Sequence, residues 1–253
     1  MLFWLLKVSV LVYLGLGLYL YLAQRSFMYL PVDGREAPDV RVEYLANDGE
    51  SIKLWVLGGD SEKAVIYFGG NAEDVYYNAE DFRVALPGYT SYLVNYRGYG
   101  GSSGSPTEAN LFSDALRLYD ELRQRHEQVA VIGRSLGSGV AAYLASQRDV
   151  HRLILVTPLD SALALAQSMY PVYPVSLLLK DRYESVEYAP GIKAPTLMVI
   201  AEHDQVIPRR HSLRLEEAFS PGLVELVVIA NAGHNGLSGH PQYWQAFERF
   251  LNP

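Results

Sequence analysis

A serine between two glycines is the residue of this chain best placed for nucleophilic chemistry. Ser135 is at the centre of GRSLG (residues 133–137), directly after the apolar run Val129–Ile132 and before the small residues SGVAA (138–142). This pattern predicts a strand that turns directly into a helix, with Ser135 strained at the turn and its hydroxyl exposed above a sheet. A serine hydroxyl is a weak nucleophile until a base accepts its proton, so a histidine and an orienting acid must converge on it.

Asp204 and His234 are the candidates for that acid and that base. Asp204 follows the predicted strand Leu197–Ala201, and His234 follows the predicted strand Val224–Ile229. Ligands meet open α/β sheets at the carboxyl ends of strands, where both residues are expected to lie. We therefore predict His234 as the general base and Asp204 as its orienting acid, in the chain order Ser, Asp, His.

Other residues compete for these roles. Ser102 lies in a second pentapeptide of the same pattern, GGSSG (100–104), but Pro106 and a polar stretch follow, so we expect a loop there. Asp160, just past the apolar run Leu153–Val156, is the rival acid. His203 is expected to be a neighbour of the acid rather than the base. The remaining histidines are expected to have plain surface roles; they are His126, His151, His211 and His240.

Acyl transfer also requires hydrogen-bond donors for the developing oxyanion. The segment YFGGNA (67–72) follows the predicted strand Ala64–Phe68, and its paired glycines allow a backbone N–H to face a pocket. We predict the backbone N–H groups of Asn71 and Leu136 as the two donors. An ordinary turn is the alternative, and a phosphate loop is excluded because no Gly-Lys-Ser/Thr follows.

Composition limits what the rest of the chain can be. Its 253 residues are 49% apolar and 19% charged, which fits one large domain and excludes a disordered or collagen-like chain. The net charge is −7 without a clustered basic face, which argues against nucleic acid as a partner. The chain has no cysteine, which excludes disulfides, thiolate-bound metals and cysteine nucleophiles.

The first 23 residues predict a transmembrane anchor. Met1–Ala23 contain one charged side chain, Lys7, and as a helix they would extend about 34 Å, enough to cross roughly 30 Å of hydrocarbon. A cleaved signal peptide is an alternative, but Tyr21 is too bulky for position −3 of a cleavage after Ala23, and apolar residues follow the small-x-small site at 15–17. A buried core helix is another. Lys and Arg flank both ends, so the side of the membrane that carries the domain stays undecided.

Beyond a polar connector (residues 24–39), short apolar runs alternate with helical patterns. This alternation predicts an α/β fold for residues 40–253, with a mostly parallel sheet covered by helices on both faces. The clearest helix has apolar residues spaced three and four apart between Leu111 and Leu122. An apolar, proline-interrupted stretch at about 158–192 is predicted to be a small cap, with a longer packed crossover as the alternative. The eight candidate strands are Val40–Leu45, Ile52–Leu57, Ala64–Phe68, Tyr92–Tyr96, Val129–Ile132, Leu153–Val156, Leu197–Ala201 and Val224–Ile229.

Together these features resemble the α/β-hydrolase superfamily, and more closely its membrane-anchored serine hydrolases. That group includes lysophospholipase-like and acyl-protein-thioesterase-like members and many short bacterial forms. The resemblance covers about residues 24–251, and one departure is Gly69, where the family commonly has the His of His-Gly-Asn. The motifs that carry it are QRS (24–26), YLP (29–31), GGNA (69–72), NYRGYG (95–100), GRSLGSG (133–139), PVSL (174–177), HD (203–204) and GH (233–234).

The resemblance implies an α/β-hydrolase fold with an eight-stranded sheet, preceded by one transmembrane helix. It implies ester or thioester hydrolysis through an acyl-enzyme, as in carboxylesterases, lipases and thioesterases, without a metal or organic cofactor. The expected partners are a small-molecule acyl substrate and membrane lipid, with no nucleic acid and no obligate protein partner, at a bacterial inner membrane. The alternatives are a serine peptidase or amidase of the same fold, and a non-catalytic membrane-tethered binding module.

Overall fold

An eight-stranded sheet is the centre of the structure, a computed structural model that describes residues 1–252. All eight predicted strands are present, and their ends differ from the predicted ends by no more than two residues. The strands are β1 (Arg41–Asn47), β2 (Glu50–Leu57), β3 (Lys63–Phe68), β4 (Thr90–Val94), β5 (Gln128–Arg134), β6 (Leu153–Val156), β7 (Thr196–Ala201) and β8 (Val224–Ile229).

The strand order is β1-β2-β4-β3-β5-β6-β7-β8. Strand β2 is antiparallel to both of its neighbours, β1 and β4, and every other adjacent pair is parallel. The prediction of a mostly parallel sheet is therefore confirmed. The parallel strands β3, β5, β6, β7 and β8 end at one edge, which brings the segments that follow them together.

Helices cover both faces of the sheet, and each face has its own apolar core. In β5 the side chains alternate, with Val129 and Val131 in one core and Ala130 and Ile132 in the other. The helix predicted around 111–122 is confirmed. The helices are α1 (Leu2–Met28), α2 (Ala79–Ala85), α3 (Glu108–Leu122), α4 (Leu136–Gln147), α5 (Ala162–Met169), α6 (Val175–Leu178), α7 (Ser185–Tyr188), α8 (Arg209–Ala218) and α9 (Pro241–Leu251).

Helix α1 is long and apolar enough to cross a membrane. It continues past Ala23 into the predicted connector and ends at Met28. The extension is possible because Gln24 and Arg25, which are unsuited to hydrocarbon, find polar partners near residues 178–181. None of its residues is buried within the described part of the chain, so the alternative of a buried core helix is wrong.

The stretch 158–192 connects β6 to β7 through the three short helices α5, α6 and α7. Its second half is attached to the beginning of α3 by Glu108, whose carboxylate accepts the backbone N–H groups of Arg182 (2.7 Å) and Tyr183 (2.8 Å). Burial raises the pKa of the Glu108 carboxyl. The segment between α5 and α6 contacts α1 through Val172 and Tyr173. Residues 158–192 are called the cap below.

Candidate active site

Ser135 occupies the single-residue turn between β5 and α4, as the glycine pattern predicts. Its backbone has φ 52° and ψ −116°, a conformation that L-residues rarely adopt. Glycine is required on both sides for space. A Cβ on Gly133 would lie 2.4 Å from the carbonyl oxygen of Gly137, and a Cβ on Gly137 would lie 2.1 Å from that of Phe68. At this turn the backbone of α4 is therefore in direct contact with the backbones of β5 and of the neighbouring strand β3.

The structure brings the three predicted triad residues into one hydrogen-bonded chain. His234 Nε2 lies 2.9 Å from Ser135 Oγ, and His234 Nδ1 lies 2.8 Å from Asp204 Oδ2. Ser135 and His234 are buried apart from a small exposed area. These distances suit a proton transfer from the hydroxyl to the imidazole.

Asp204 is held in place by its own loop. Its second carboxylate oxygen accepts the backbone N–H groups of Val206 (2.9 Å) and Ile207 (2.7 Å). With Oδ1 occupied by these backbone donors, Oδ2 is the oxygen that faces His234, and a carboxylate there accepts a hydrogen bond from Nδ1–H and leaves Nε2 as the base. The carboxylate thus sets the tautomer that a serine nucleophile needs.

The rival acid, Asp160, lies near a different histidine. Its Oδ1 is 2.8 Å from Nδ1 of His211, and both side chains are buried. The predicted surface role of His211 is wrong, because His211 lies on the buried side of the amphipathic helix α8. His126 is also buried, within hydrogen-bonding distance of the Tyr92 hydroxyl (2.9 Å), so its predicted surface role is wrong too. Residue type alone could not predict whether each imidazole ring would face the core or the solvent.

Ser102 lies in the loop between β4 and α3, as predicted. Its hydroxyl donates to the carbonyl oxygen of Asn95 (2.8 Å) and accepts the N–H of Lys53 (2.8 Å). The hydroxyl thus joins the loop to β2 and to the residue that follows β4. Helix α3 begins six residues later, at Glu108, so the second pentapeptide forms no strand-to-helix turn.

The two predicted oxyanion donors lie beside the serine. Leu136 is the first residue of α4, where backbone N–H groups have no acceptor within the helix. Asn71 lines the same cavity as Ser135 and Leu136. The Asn71 side chain fixes its loop, because Oδ1 accepts the N–H of Leu30 (2.8 Å) and the hydroxyl of Tyr99 (2.9 Å). Their role as an oxyanion hole stays a prediction.

An ion pair next to the serine was not anticipated from the sequence. Arg134 Nη1 lies 2.6 Å from Glu73 Oε2, and that oxygen also accepts the N–H of Gly70 (2.6 Å). Burial disfavours the charged carboxylate, but the adjacent guanidinium and the hydrogen bonds from Tyr67 and Gly70 hold the pKa of Glu73 below its ordinary value. Burial disfavours the charged guanidinium too, yet the Glu73 charge raises the pKa of Arg134.

Arg134 also reaches the loop of the predicted base. Its Nη2 donates to the carbonyl oxygen of His234 (3.3 Å) and to Oδ1 of Asn235 (3.0 Å). One guanidinium therefore connects the loop after β3 with the loop after β8. Arg134 occupies a variable position of the serine motif, so the motif alone gave no reason to single it out.

The structure also shows what fills the space beside Gly69. A Cβ on Gly69 would lie 2.6 Å from Cγ1 of Val75 and 3.2 Å from Cδ of Glu73. The carbonyl oxygen of Gly69 accepts the hydroxyl of Tyr96 (2.7 Å). These contacts leave no room at position 69 for the histidine that is common in the membrane-anchored serine hydrolases that this chain resembles.

A mainly apolar cavity of about 370 Å³ leads away from Ser135. Its wall is formed by α1 together with the cap, although the two segments are about 130 residues apart in the sequence. The lining residues from α1 are Gly17, Leu20, Tyr21, Gln24, Phe27 and Met28. Those from the cap include Leu159, Ala162, Leu165, Ala166, Met169 and Leu178.

Comparisons with known proteins agree with this architecture. The family model described as "alpha/beta hydrolase fold" matches residues 63–181. An uncharacterized protein of Mycobacterium tuberculosis is 33% identical over 239 residues, which cover 87% of this chain and 84% of that protein. Alpha/beta hydrolase domain-containing protein 17C of Homo sapiens is 27% identical over 241 residues, covering 92% of this chain and 71% of that protein.

Solved structures share the fold at low sequence identity. An esterase of Pyrococcus furiosus superposes with a TM-score of 0.69 at 20% identity, covering 88% of this chain and 97% of that one. An enol-lactonase of Burkholderia xenovorans superposes with a TM-score of 0.65 at 17% identity, covering 83% of this chain and all of that one. The order of the strands, the serine at the strand-to-helix turn and the similar proteins all lead to the same assignment. The chain belongs to the alpha/beta hydrolase family.

Proposed function

We propose that this protein is a membrane-anchored serine hydrolase that cleaves carboxylic ester or thioester bonds of acyl substrates. The observation that carries the proposal is the hydrogen-bonded chain from Ser135 Oγ through His234 to Asp204 at the inner end of an apolar cavity. A nucleophile, a base and an orienting acid in this geometry are the groups that acyl transfer needs.

In the proposed acylation step, Ser135 Oγ attacks the carbonyl carbon of the substrate. Its proton passes to Nε2 of His234, 2.9 Å away, and the imidazolium that forms is stabilised by the Asp204 carboxylate. The carbonyl oxygen becomes an oxyanion that would accept the backbone N–H groups of Asn71 and Leu136. When the tetrahedral intermediate collapses, the imidazolium gives its proton to the leaving alcohol or thiol, and an acyl-Ser135 ester remains.

Deacylation repeats these roles with water as the nucleophile. His234 accepts a proton from the water as its oxygen attacks the acyl carbon, and then returns a proton to Ser135 Oγ. The products are a carboxylic acid and the regenerated serine. Every proton transfer runs through Nε2 of one imidazole, so the neutral form of His234 is required at the start of each half-reaction.

The lining of the cavity favours an acyl chain over a polar substrate. Leu165, Met169 and Leu178 of the cap and Leu20 and Phe27 of α1 offer apolar surface to whatever occupies it. Burial of hydrocarbon stabilises a complex by about 0.8 kcal/mol per methylene. Helix α1 would hold this cavity at the bilayer, where acyl esters are concentrated.

Labelling with a fluorophosphonate probe tests the proposal directly, because the probe reacts covalently with an activated serine. We expect the intact protein to be labelled and to hydrolyse a chromogenic acyl ester, and Ser135→Ala to lose both properties. Ser102→Ala is the matched control, since Ser102 occupies the same sequence pattern but lies in a loop. It should retain labelling and turnover.

Other outcomes would favour the alternatives. Labelling that persists in Ser135→Ala would exclude Ser135 as the nucleophile. A folded intact protein without labelling or turnover would support the non-catalytic binding module. Faster cleavage of a peptide amide than of the matched ester would support the peptidase or amidase.

A further inference from the structure

Two distant segments of the chain change from apolar to charged at the same level of the structure. Between Lys7 and Arg25, α1 has no charged side chain, and between Asp160 and Lys180 the cap has none. The two boundaries are in contact. Arg25 forms a two-bond ion pair with Asp181 (2.8 and 3.2 Å), and Gln24 Oε1 accepts the backbone N–H of Lys180 (2.8 Å).

The uncharged part of the cap runs along α1 beyond this charged boundary. The ring of Tyr173 stacks on that of Tyr13 with centroids 4.7 Å apart, and the Tyr13 hydroxyl donates to the carbonyl oxygen of Val172 (2.8 Å). Gly17 permits the close approach, since a Cβ there would lie 2.9 Å from the Tyr173 ring. Small residues serve the same purpose where helices pack in membranes.

The contact at Tyr13 defines a depth. Gln24 lies eleven positions after Tyr13, and at 1.5 Å per residue this corresponds to about 16 Å along the helix axis. Half the hydrocarbon thickness of a bilayer is about 15 Å. If the charged boundary lies at the headgroups, the cap residues beside Tyr13 reach the level of the bilayer midplane.

The outer surface of the cap suits that environment. Val172 is 70% exposed and Leu177 81%, and neither side chain lines the cavity. Backbone groups in hydrocarbon must find partners within the protein, and α1 supplies two of them here. The Tyr13 hydroxyl satisfies the carbonyl oxygen of Val172, and the Gln24 side chain satisfies that of Leu178 (3.2 Å).

We propose that the cap tip, residues 169–177, inserts together with α1 into the hydrocarbon of the adjacent lipid leaflet. The cavity then begins at Ser135 and extends to Gly17 and Tyr173, which lie beyond the charged boundary. An acyl chain would enter sideways from the leaflet, between α1 and the cap, without leaving hydrocarbon. This inference rests on the proposed function for its substrate and on the proposed anchoring for its location.

Site-directed spin labelling tests the location without any need for catalysis. Since the chain has no cysteine, Val172→Cys and Leu177→Cys each introduce one labelling site. Val84→Cys is the matched control, because Val84 is an equally exposed aliphatic side chain (72%) on α2. Each full-length variant is spin-labelled and reconstituted into phosphatidylcholine vesicles, and its relaxation by oxygen and by a water-soluble nickel chelate is measured.

Oxygen concentrates in hydrocarbon, whereas the nickel chelate stays in water. We expect labels at 172 and 177 to be relaxed more strongly by oxygen than by nickel, and the label at 84 to show the reverse. If nickel relaxes the cap-tip labels as strongly as the label at 84, the inserted cap tip is excluded. Cap-tip labels in hydrocarbon in a protein that fluorophosphonate does not label would overturn the proposed function and leave the insertion standing.

A charge at the cap tip tests the entry route. Val172 is exposed and is not part of the cavity wall, so Val172→Asp should leave cleavage of a soluble short-chain ester within about twofold of the unaltered protein. A charge in hydrocarbon is costly, so cleavage of a long-chain ester in vesicles should fall at least about tenfold. Val84→Asp should change neither activity. Undiminished cleavage of the long-chain ester in vesicles by a folded Val172→Asp protein would overturn lateral entry. If that variant does not fold, the spin-label measurement decides whether the cap tip lies in hydrocarbon.

Discussion

Arg134 Nη1 lies 2.6 Å from Glu73 Oε2, and this ion pair joins the loop that carries Asn71 to the end of β5, directly before Ser135. The other terminal nitrogen of Arg134 donates to the backbone of His234. The guanidinium of Arg134 therefore links the proposed oxyanion loop and the loop of the proposed base, and it lies next to the proposed nucleophile. A guanidinium can hold two partners at fixed angles, which an ammonium cannot.

Arg134→Lys tests this positioning role. The substitution keeps the charge but cannot contact Glu73 and the His234 loop together, so we expect kcat to fall about tenfold with KM within about twofold. The rate of fluorophosphonate labelling should fall by the same factor. Arg117→Lys is the control, because Arg117 forms an exposed pair with Glu121 on α3. An unchanged labelling rate in Arg134→Lys would show that Arg134 has no positioning role.

The ion pair also predicts how stability depends on pH. Despite its burial, Glu73 has a folded-state pKa below the unfolded value, because Arg134 and its hydrogen-bond donors favour the charged form. Such a group contributes stability that is present above the unfolded pKa and is lost as the pH falls through the folded pKa. Glu73→Gln has the same shape without the charge. It should lower the free energy of unfolding at pH 7 by about 1–3 kcal/mol.

Denaturant unfolding of both proteins between pH 7 and pH 3 checks the sign. The difference between unaltered protein and Glu73→Gln should be largest near neutral pH and should shrink below about pH 5. Glu121→Gln, an exposed change on α3, should show little difference at any pH. A gap that is constant across the range would mean that the Glu73 charge does not contribute.

The two candidate acids make opposite predictions. Asp204 lies 2.8 Å from His234, so Asp204→Asn should remove the acceptor that selects the reactive tautomer and reduce kcat by orders of magnitude. Asp160 lies 2.8 Å from His211, so Asp160→Asn should act mainly on stability. Circular dichroism establishes that both variants fold, and steady-state kinetics compares them. A larger loss of kcat in folded Asp160→Asn would reverse the assignment.

Short apolar runs and glycine spacing were sufficient to predict the sheet and the serine turn. The runs are local and their burial on two faces leaves few alternatives, so every strand was found. The Ser135 turn was predictable because a Cβ at position 133 or 137 would collide with backbone. The approach of Asp204 and His234 followed from the common edge at which parallel strands end.

Contacts between distant segments could not be predicted in the same way. The Glu73–Arg134 pair joins the loop after β3 to the end of β5, and each residue alone resembles an ordinary surface charge. The burial of His211 depends on the direction that one side of α8 faces. The docking of α1 on the cap depends on side chains such as Tyr13 and Tyr173, which periodicity places in apolar segments without pairing them.

Helix α1 is expected to remain attached in the mature protein. Cleavage after Ala23 would remove Gly17, Leu20 and Tyr21 from the cavity wall and Tyr13 from the cap. The intact mass should therefore include Met1 or begin at Leu2, and alkaline carbonate should not release the protein from membranes. A soluble form that begins near Leu18 or Gln24 would exclude the anchor and establish a cleaved signal peptide.

Acyl-chain length tests how the cavity is used. The space of about 370 Å³ begins at Ser135 and is lined by apolar side chains of α1 and the cap, so longer chains should bury more methylenes until it is full. At about 0.8 kcal/mol per methylene, a few added carbons should raise kcat/KM tenfold or more. Assays of chromogenic esters from two to sixteen carbons should therefore show a rise followed by a plateau.

A cavity-filling variant separates this effect from general hydrophobicity. Ala166 lines the cavity from α5, so Ala166→Phe should shift the plateau to shorter chains and leave the two-carbon ester nearly unaffected. Gln167→Phe adds the same ring to an exposed neighbouring position of α5 and should not shift it. A steep fall beyond four carbons in the unaltered protein, unchanged by detergent or liposomes, would exclude long acyl chains and leave a short-chain esterase. With long chains excluded, the apolar side chains of α5 and α6 would serve only to pack the cap against α1.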